Sequence, residues 1–109
     1  MKKLLIAALL LLPVTAQAQD RAKSIVFIGN SFTLGAGSAA HRYQSNTVTD
    51  LNPPDAKGRT VGGVPAFFKA FTRQAGLNYT VSVETVGGKG MDFHYAENRA
   101  LLDKSWDVV

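Results

Sequence analysis

The chain has 109 residues and no cysteine. That absence excludes a disulfide scaffold, a thiolate metal site and a cysteine nucleophile. Charge is also sparse: 18% of residues are charged, against 46% hydrophobic. A chain this apolar is not disordered by composition. No uncharged apolar run reaches the roughly 20 residues that span a bilayer. The length allows at most one domain.

The formal charge of +4 and the pI of about 9.6 suggest nucleic acid at first sight. The N-terminus removes most of that signal. Lys2 and Lys3 precede an uncharged Leu-rich run from Leu4 to Leu12, Pro13 breaks it, and Ala16-Gln17-Ala18 offers small residues at the two positions a signal peptidase reads. This is the pattern of a secretory signal peptide, with cleavage expected after Ala18. A core helix would need an amphipathic face, and the run has no polar side to present. Without a cysteine after the apolar run there is no lipoprotein signal. Residues 1–18 are therefore expected to be removed, leaving residues 19–109 as a secreted or periplasmic domain with no stable membrane insertion. Without Lys2 and Lys3, ten basic residues face eight acidic ones, about +2. The ten are scattered, whereas a nucleic-acid footprint is clustered. No nucleic-acid partner is expected.

The remaining chain alternates in type. Ser24-Ile25-Val26-Phe27-Ile28 is a continuous apolar run ended by Gly29, as in a strand buried on both faces of a parallel sheet. Gly35 to Gly63 is polar and Gly/Pro-marked, a long loop of the kind that carries function. Val64 to Gly76 reads as a helix, with Pro65 in its first turn, Gly76 as its C-terminal cap, and Phe67, Phe68, Phe71 and Ala75 predicted on one buried face. Tyr79 to Val86 alternates as a second strand, with Val81 and Val83 on one face. Met91 to Lys104 reads as a second helix, and Trp106-Asp107-Val108-Val109 as the opening of a third strand. The expected fold is α/β, a parallel sheet with helices packed on it through right-handed crossovers. A domain that stops on two valines of a central strand is expected to be the N-terminal part of a longer one.

One segment carries chemistry. Gly29-Asn30-Ser31 directly follows the first strand, where ligands bind in open α/β sheets. Gly29 is expected to permit unusual backbone angles. Ser31 is expected either to expose its hydroxyl to substrate and lend its own N–H to an oxyanion, or to cap the helix that follows. Other motifs fail on context. Gly35-Ala36-Gly37-Ser38-Ala39-Ala40 spells a dinucleotide fingerprint but starts seven residues after the strand. Gly87-Gly88-Lys89-Gly90 is no phosphate loop, because Val83 and Gly90 stand where Gly and Ser/Thr are required. Asp92 and Glu97 do not share a helix face well, so no carboxylate pair is expected. His41 and His94 have no carboxylate at ligand spacing, so no metal is expected. No cofactor is expected either.

Ile28-Gly29-Asn30-Ser31-Phe32-Thr33 resembles the first block of the SGNH (GDSL-like) hydrolases, in the branch where Asn replaces the Asp before the serine. Gly87-Gly88-Lys89-Gly90-Met91-Asp92-Phe93-His94 resembles the second block, and Trp106 to Val109 the third strand. The resemblance implies a three-layer, flavodoxin-like sandwich around a parallel sheet, cut off after the start of its third strand. It implies ester hydrolysis through an acyl-serine on Ser31, with an oxyanion hole from the Ser31 N–H and the Gly88 N–H, Gly90 being the alternative. Asn30 and His94 become expected substrate contacts. For His94, a helical histidine bonded to backbone or water is the competing expectation. The family's third-block asparagine and its Asp-x-x-His base have no counterpart in the 109 residues, so this chain is expected to be inactive alone. The expected partner is a small or polymeric ester, with the loop from Gly35 to Gly63 setting specificity. The competing functions are a non-catalytic binding domain of the same fold and, further off, a nucleotide-binding α/β domain. The latter needs an acidic residue ending the second strand, and Val86 stands there.

Overall fold

The computed structural model describes residues 20–109, so the expected signal segment lies outside the described residues. Three strands form one parallel sheet. β1 (Lys23–Gly29) and β3 (Tyr79–Thr85) pair along their whole length, Ile25 opposite Val81 and Gly29 opposite Thr85. β2 (Thr49–Asp50) adds a short edge on the far side of β3. Helices α1 (Ser31–Leu34), α2 (Gly63–Gln74), α3 (Met91–Glu97) and α4 (Arg99–Leu102) complete the α/β arrangement. Among the described residues no helix is long and apolar enough to cross a membrane.

The expected third strand is present as its first contact. Val108 bridges Ile25 in parallel, on the edge of β1 away from β3, and Val26 N–H donates to Val108 O at 3.1 Å. The chain thus runs from β1 to β3 on one side and returns to the other side of β1. The order reverses at β1, and at such a switch point the carboxyl ends of the strands open a crevice.

Asp107 pins this returning segment. Its carboxylate accepts from Ser24 N–H at 2.7 Å, from Ser24 Oγ at 2.9 Å and from Arg21 Nη2 at 2.7 Å. The Ser24 N–H, then Arg21 and the Ser24 hydroxyl hold the Asp107 carboxyl down to about 2, against an ordinary 3.8. A carboxyl depressed by folding stabilises above its unfolded value and stops doing so as pH falls through its folded value. Attachment of residues 107–109 to β1 is therefore expected to be constant from pH 5 to 8 and to weaken from about pH 4 to pH 2. Amide exchange at Val26 and Val108 reads it, and Asp107→Asn is expected to remove the pH dependence.

Side chains alternate across the sheet as strand geometry requires. Ile25, Phe27, Val81 and Val83 form the face toward α2, where Phe27 meets Phe68 edge-on with ring centroids 5.4 Å apart. Val83 is fully buried and Val26 and Val81 nearly so. α2 ends in a Schellman turn: Gly76 N–H donates to Arg73 O and Leu77 N–H to Thr72 O. Its buried face differs from the expected one. Pro65, Ala66 and Ala70 face inward, while Phe71 is 63% exposed and Ala75 is also exposed. The small Ala66/Ala70 pair one turn apart lets the helix approach the sheet closely. The phenylalanines then pack at its margins, Phe68 on Tyr79 and Phe67 stacked on Tyr43 at 4.4 Å.

Two further expectations change. The stretch from Gly35 to Gly63 is not featureless. It holds 3-10 turns at Ala39–Arg42 and Ser45–Thr47 as well as β2, and Phe67 stacked on Tyr43 fastens it to α2. The helix expected from Met91 to Lys104 breaks at Asn98. The Asn98 N–H closes α3 on His94 O, and its side chain is drawn inward to Glu84 Oε1 at 2.7 Å.

Candidate active site

Ser31 is the first residue of α1, immediately beyond the carboxyl end of the strand at which the sheet order reverses. Asn30 is the N-cap: its Oδ1 accepts from Phe32 N–H at 3.1 Å. The capping position of α1 therefore belongs to Asn30 and not to Ser31. Among the described residues the Ser31 hydroxyl has no hydrogen-bond partner, and the Ser31 N–H is unpaired, as first-turn donors are. Ser31 is half-buried, and Phe32 beside it is 87% exposed. Asn30, expected to contact substrate, uses its side-chain oxygen on the cap, which leaves the amide nitrogen.

Gly29 is required for a reason other than the expected one. Its φ is not left-handed. A Cβ there would stand 2.1 Å from Thr33 Oγ1 and 2.8 Å from Thr33 Cβ, so the close fold-back of α1 on the strand end needs the missing side chain.

The second turn leaves the sheet beside the first. Val86 N–H donates to Gly29 O at 3.1 Å, so β3 ends level with β1, and paired strands run about 4.8 Å apart. Lys89 N–H closes on Val86 O at 3.3 Å and Gly88 has φ +70°, the pattern of a type II turn. The Gly88 N–H has no backbone partner among the described residues. Gly90 instead takes an extended conformation as N-cap of α3. Of the two expected donors, Gly88 occupies the backbone position that calls for glycine. A Cβ on Gly88 would meet nothing within 4 Å, so Gly88→Ala is expected to cost backbone strain alone, about 1–2 kcal/mol, read from the denaturant midpoint.

His94 is 1% exposed, and its Nδ1 pairs with the Glu84 carboxylate. Glu84 is fully buried on β3, on the face opposite Phe27, and Oε1 accepts from Asn98 Nδ2 at 2.7 Å and Asn52 Nδ2 at 3.3 Å. Asn52 Oδ1 in turn accepts from Thr85 N–H at 2.9 Å. Sequence reasoning missed this group. Alternation puts Glu84 with Thr80 and Ser82 on the face opposite Val81 and Val83, so nothing in the sequence marked it as buried, although glutamate is almost never fully buried unless paired. The His94 Nε2 is buried without a partner among the described residues, and His94 is one of the residues lining an apolar cavity of about 220 Å³ with Val26, Ile28 and Trp106. Ser31 does not line that cavity. His94, expected to contact substrate, is thus buried against Glu84.

His41 lies on a second, polar cleft of about 300 Å³ with Leu34, Arg42, Asp50, Arg59 and Thr85. It opens at the end of the sheet where α1 starts. Asp55 bridges Arg42 (3.1 Å) and Arg59 (2.8 Å). The Arg59 N–H and guanidinium, helped by the Lys57 N–H, hold its carboxyl down to about 2. Asp50 accepts from Asn52 N–H and Val61 N–H, each at 3.1 Å. Among the described residues no three His, Asp or Glu side chains come together as a metal site. Comparison with protein-family models, with curated proteins and with solved structures found no match to the chain.

Proposed function

We propose that the protein is a secreted serine ester hydrolase of the SGNH type, with residues 1–18 as its export signal and residues 19–109 as part of a three-layer α/β/α sandwich. The observation that carries this reading is the Ser31 hydroxyl and N–H, free among the described residues, at the carboxyl end of β1 beside the Gly88 turn at the end of β3.

In the proposed reaction Ser31 Oγ attacks the ester carbonyl carbon and its proton passes to a base. The carbonyl oxygen becomes an oxyanion that accepts from the Ser31 and Gly88 N–H groups. The C–O bond to the alcohol breaks, the alcohol leaves with a proton, and water then cleaves the acyl-serine. The base is assigned to a histidine outside these 109 residues. His41 borders the polar cleft, and His94 is buried and bonded through Nδ1 to Glu84.

The polar cleft, which α1 reaches through Leu34 and not through Ser31, is the proposed substrate pocket. Its two arginines are balanced by Asp50 and Asp55. A neutral polar acyl carrier such as a carbohydrate therefore suits it better than an anionic one. The alternative is a binding domain that keeps the fold without the chemistry. Assay of residues 19–109 and of the protein expressed from its whole reading frame on a p-nitrophenyl ester separates the cases. The hydrolase reading expects turnover only from the longer product. No turnover from either supports the binding domain. Full turnover from residues 19–109 contradicts the placement of the base.

A further inference from the structure

Glu84 and His94 stand on the two sides of the Gly-rich turn in sequence, and a buried bond joins them across it. The turn itself has little else to hold it. Gly87 through Gly90 are exposed, and a side chain added at Gly87 or Gly88 would touch nothing within 4 Å. Its first end is fixed by β3. Its second end is α3, a seven-residue helix whose one buried residue is His94. The same carboxylate also receives Asn98, the C-cap of α3, and Asn52 from the loop after β2.

Only one edge of the imidazole takes part. The bond to Glu84 uses Nδ1. The other nitrogen is buried and without a partner among the described residues. A histidine serving as general base needs that second nitrogen at the nucleophile. A histidine serving as an anchor needs only Nδ1–H.

We propose that Glu84 and His94 are positioning residues: their buried bond clamps α3 to β3 and so fixes the Gly88 N–H relative to Ser31. The catalytic consequence rests on the hydrolase reading above. The mechanical one, an ordered 87–90 turn, does not. Oxyanion donors act because they are fixed before charge develops, so loosening the clamp is expected to lower kcat with little change in KM.

The experiment uses the protein expressed from its whole reading frame, p-nitrophenyl acetate as substrate, and 15N relaxation at Gly87, Gly88 and Gly90. His94→Leu keeps an apolar filling and removes the donor. His94→Asn puts an amide N–H near the place of Nδ1 and removes Nε2. His94→Leu is expected to lower kcat about 10–100-fold, as loss of such supporting partners does elsewhere, with KM within about threefold. Turn order parameters are expected to drop from the rigid value of about 0.85 to below about 0.6. His94→Asn is expected to recover most of both losses. Rigid turn amides in His94→Leu, or His94→Asn as impaired as His94→Leu in both readouts, overturns the clamp. If His94→Leu does not fold, His94→Asn against the unsubstituted protein decides: a rigid turn with kcat within about threefold supports the clamp, and a mobile turn overturns it. If the unsubstituted protein has no esterase activity, the hydrolase reading fails and the order parameters alone still judge the clamp.

Discussion

Ser31→Ala is expected to abolish ester turnover while leaving the fold unchanged. The hydroxyl is the proposed attacking atom, and removing a serine nucleophile from an acyl-transfer site costs on the order of 10⁴–10⁶ in rate. The fold should not notice. Ser31 Oγ has no hydrogen-bond partner among the described residues, and the cap of α1 is supplied by Asn30 Oδ1. The two measurements belong together: kcat/KM on a p-nitrophenyl ester, and the midpoint of thermal unfolding. Loss of rate with an unchanged midpoint assigns the effect to chemistry. Asn30→Ala is the informative contrast. It removes the cap, costs about 1 kcal/mol of helix stability, and lowers the midpoint while the Ser31 hydroxyl is retained.

The second large effect is on stability. Glu84→Ala leaves the His94 Nδ1–H, Asn98 Nδ2 and Asn52 Nδ2 without their common acceptor, and the first of these is fully buried. Leaving a buried donor without its acceptor costs about 1–3 kcal/mol for each group, and with several donors orphaned the sum is a large part of the roughly 5–15 kcal/mol that holds a domain folded. The thermal midpoint is expected to fall by more than about 10 °C, on the scale of about 4–8 °C per kcal/mol for a domain of this size. Glu97→Ala, at an exposed position of α3, is expected to stay within about 0.5 kcal/mol. Equal midpoints for the two variants would refute the structural weight placed on Glu84.

The strands were legible because their signals are local and strong. Ile25 to Ile28 is an uninterrupted apolar run, and Tyr79 to Val86 alternates; both ended within a residue or two of the observed strands. The position of Ser31 followed from the same logic, because the carboxyl ends of parallel strands are where an open α/β sheet places its ligands. What was not legible depends on contacts distant in sequence. β2 is two residues long and exists because β3 offers it an edge. The inward face of α2 is set by how close Ala66 and Ala70 allow it to come, which outweighs the hydrophobicity of Phe71. Asn98 breaks the last helix because Glu84, 14 residues earlier, draws its side chain inward.

His94 illustrates the limit most clearly. A helical histidine near a Gly-rich turn is compatible with an exposed substrate contact and with a buried one. The decision lies in Glu84, ten residues away on a strand. Read alone, Glu84 is an ordinary polar member of an alternating strand. Only its register, opposite Ile28 and turned away from Phe27, places it under α3.

The central claim is that Ser31 is the nucleophile, and covalent trapping tests it most directly. The protein expressed from its whole reading frame is treated with a fluorophosphonate, which esterifies an activated serine hydroxyl, and the adduct is mapped by peptide mass analysis. The expected result is one adduct, on Ser31, absent from Ser31→Ala and formed normally when Ser38 or Ser82 is substituted. Labelling that persists in Ser31→Ala, or an adduct on any other residue, would contradict the account.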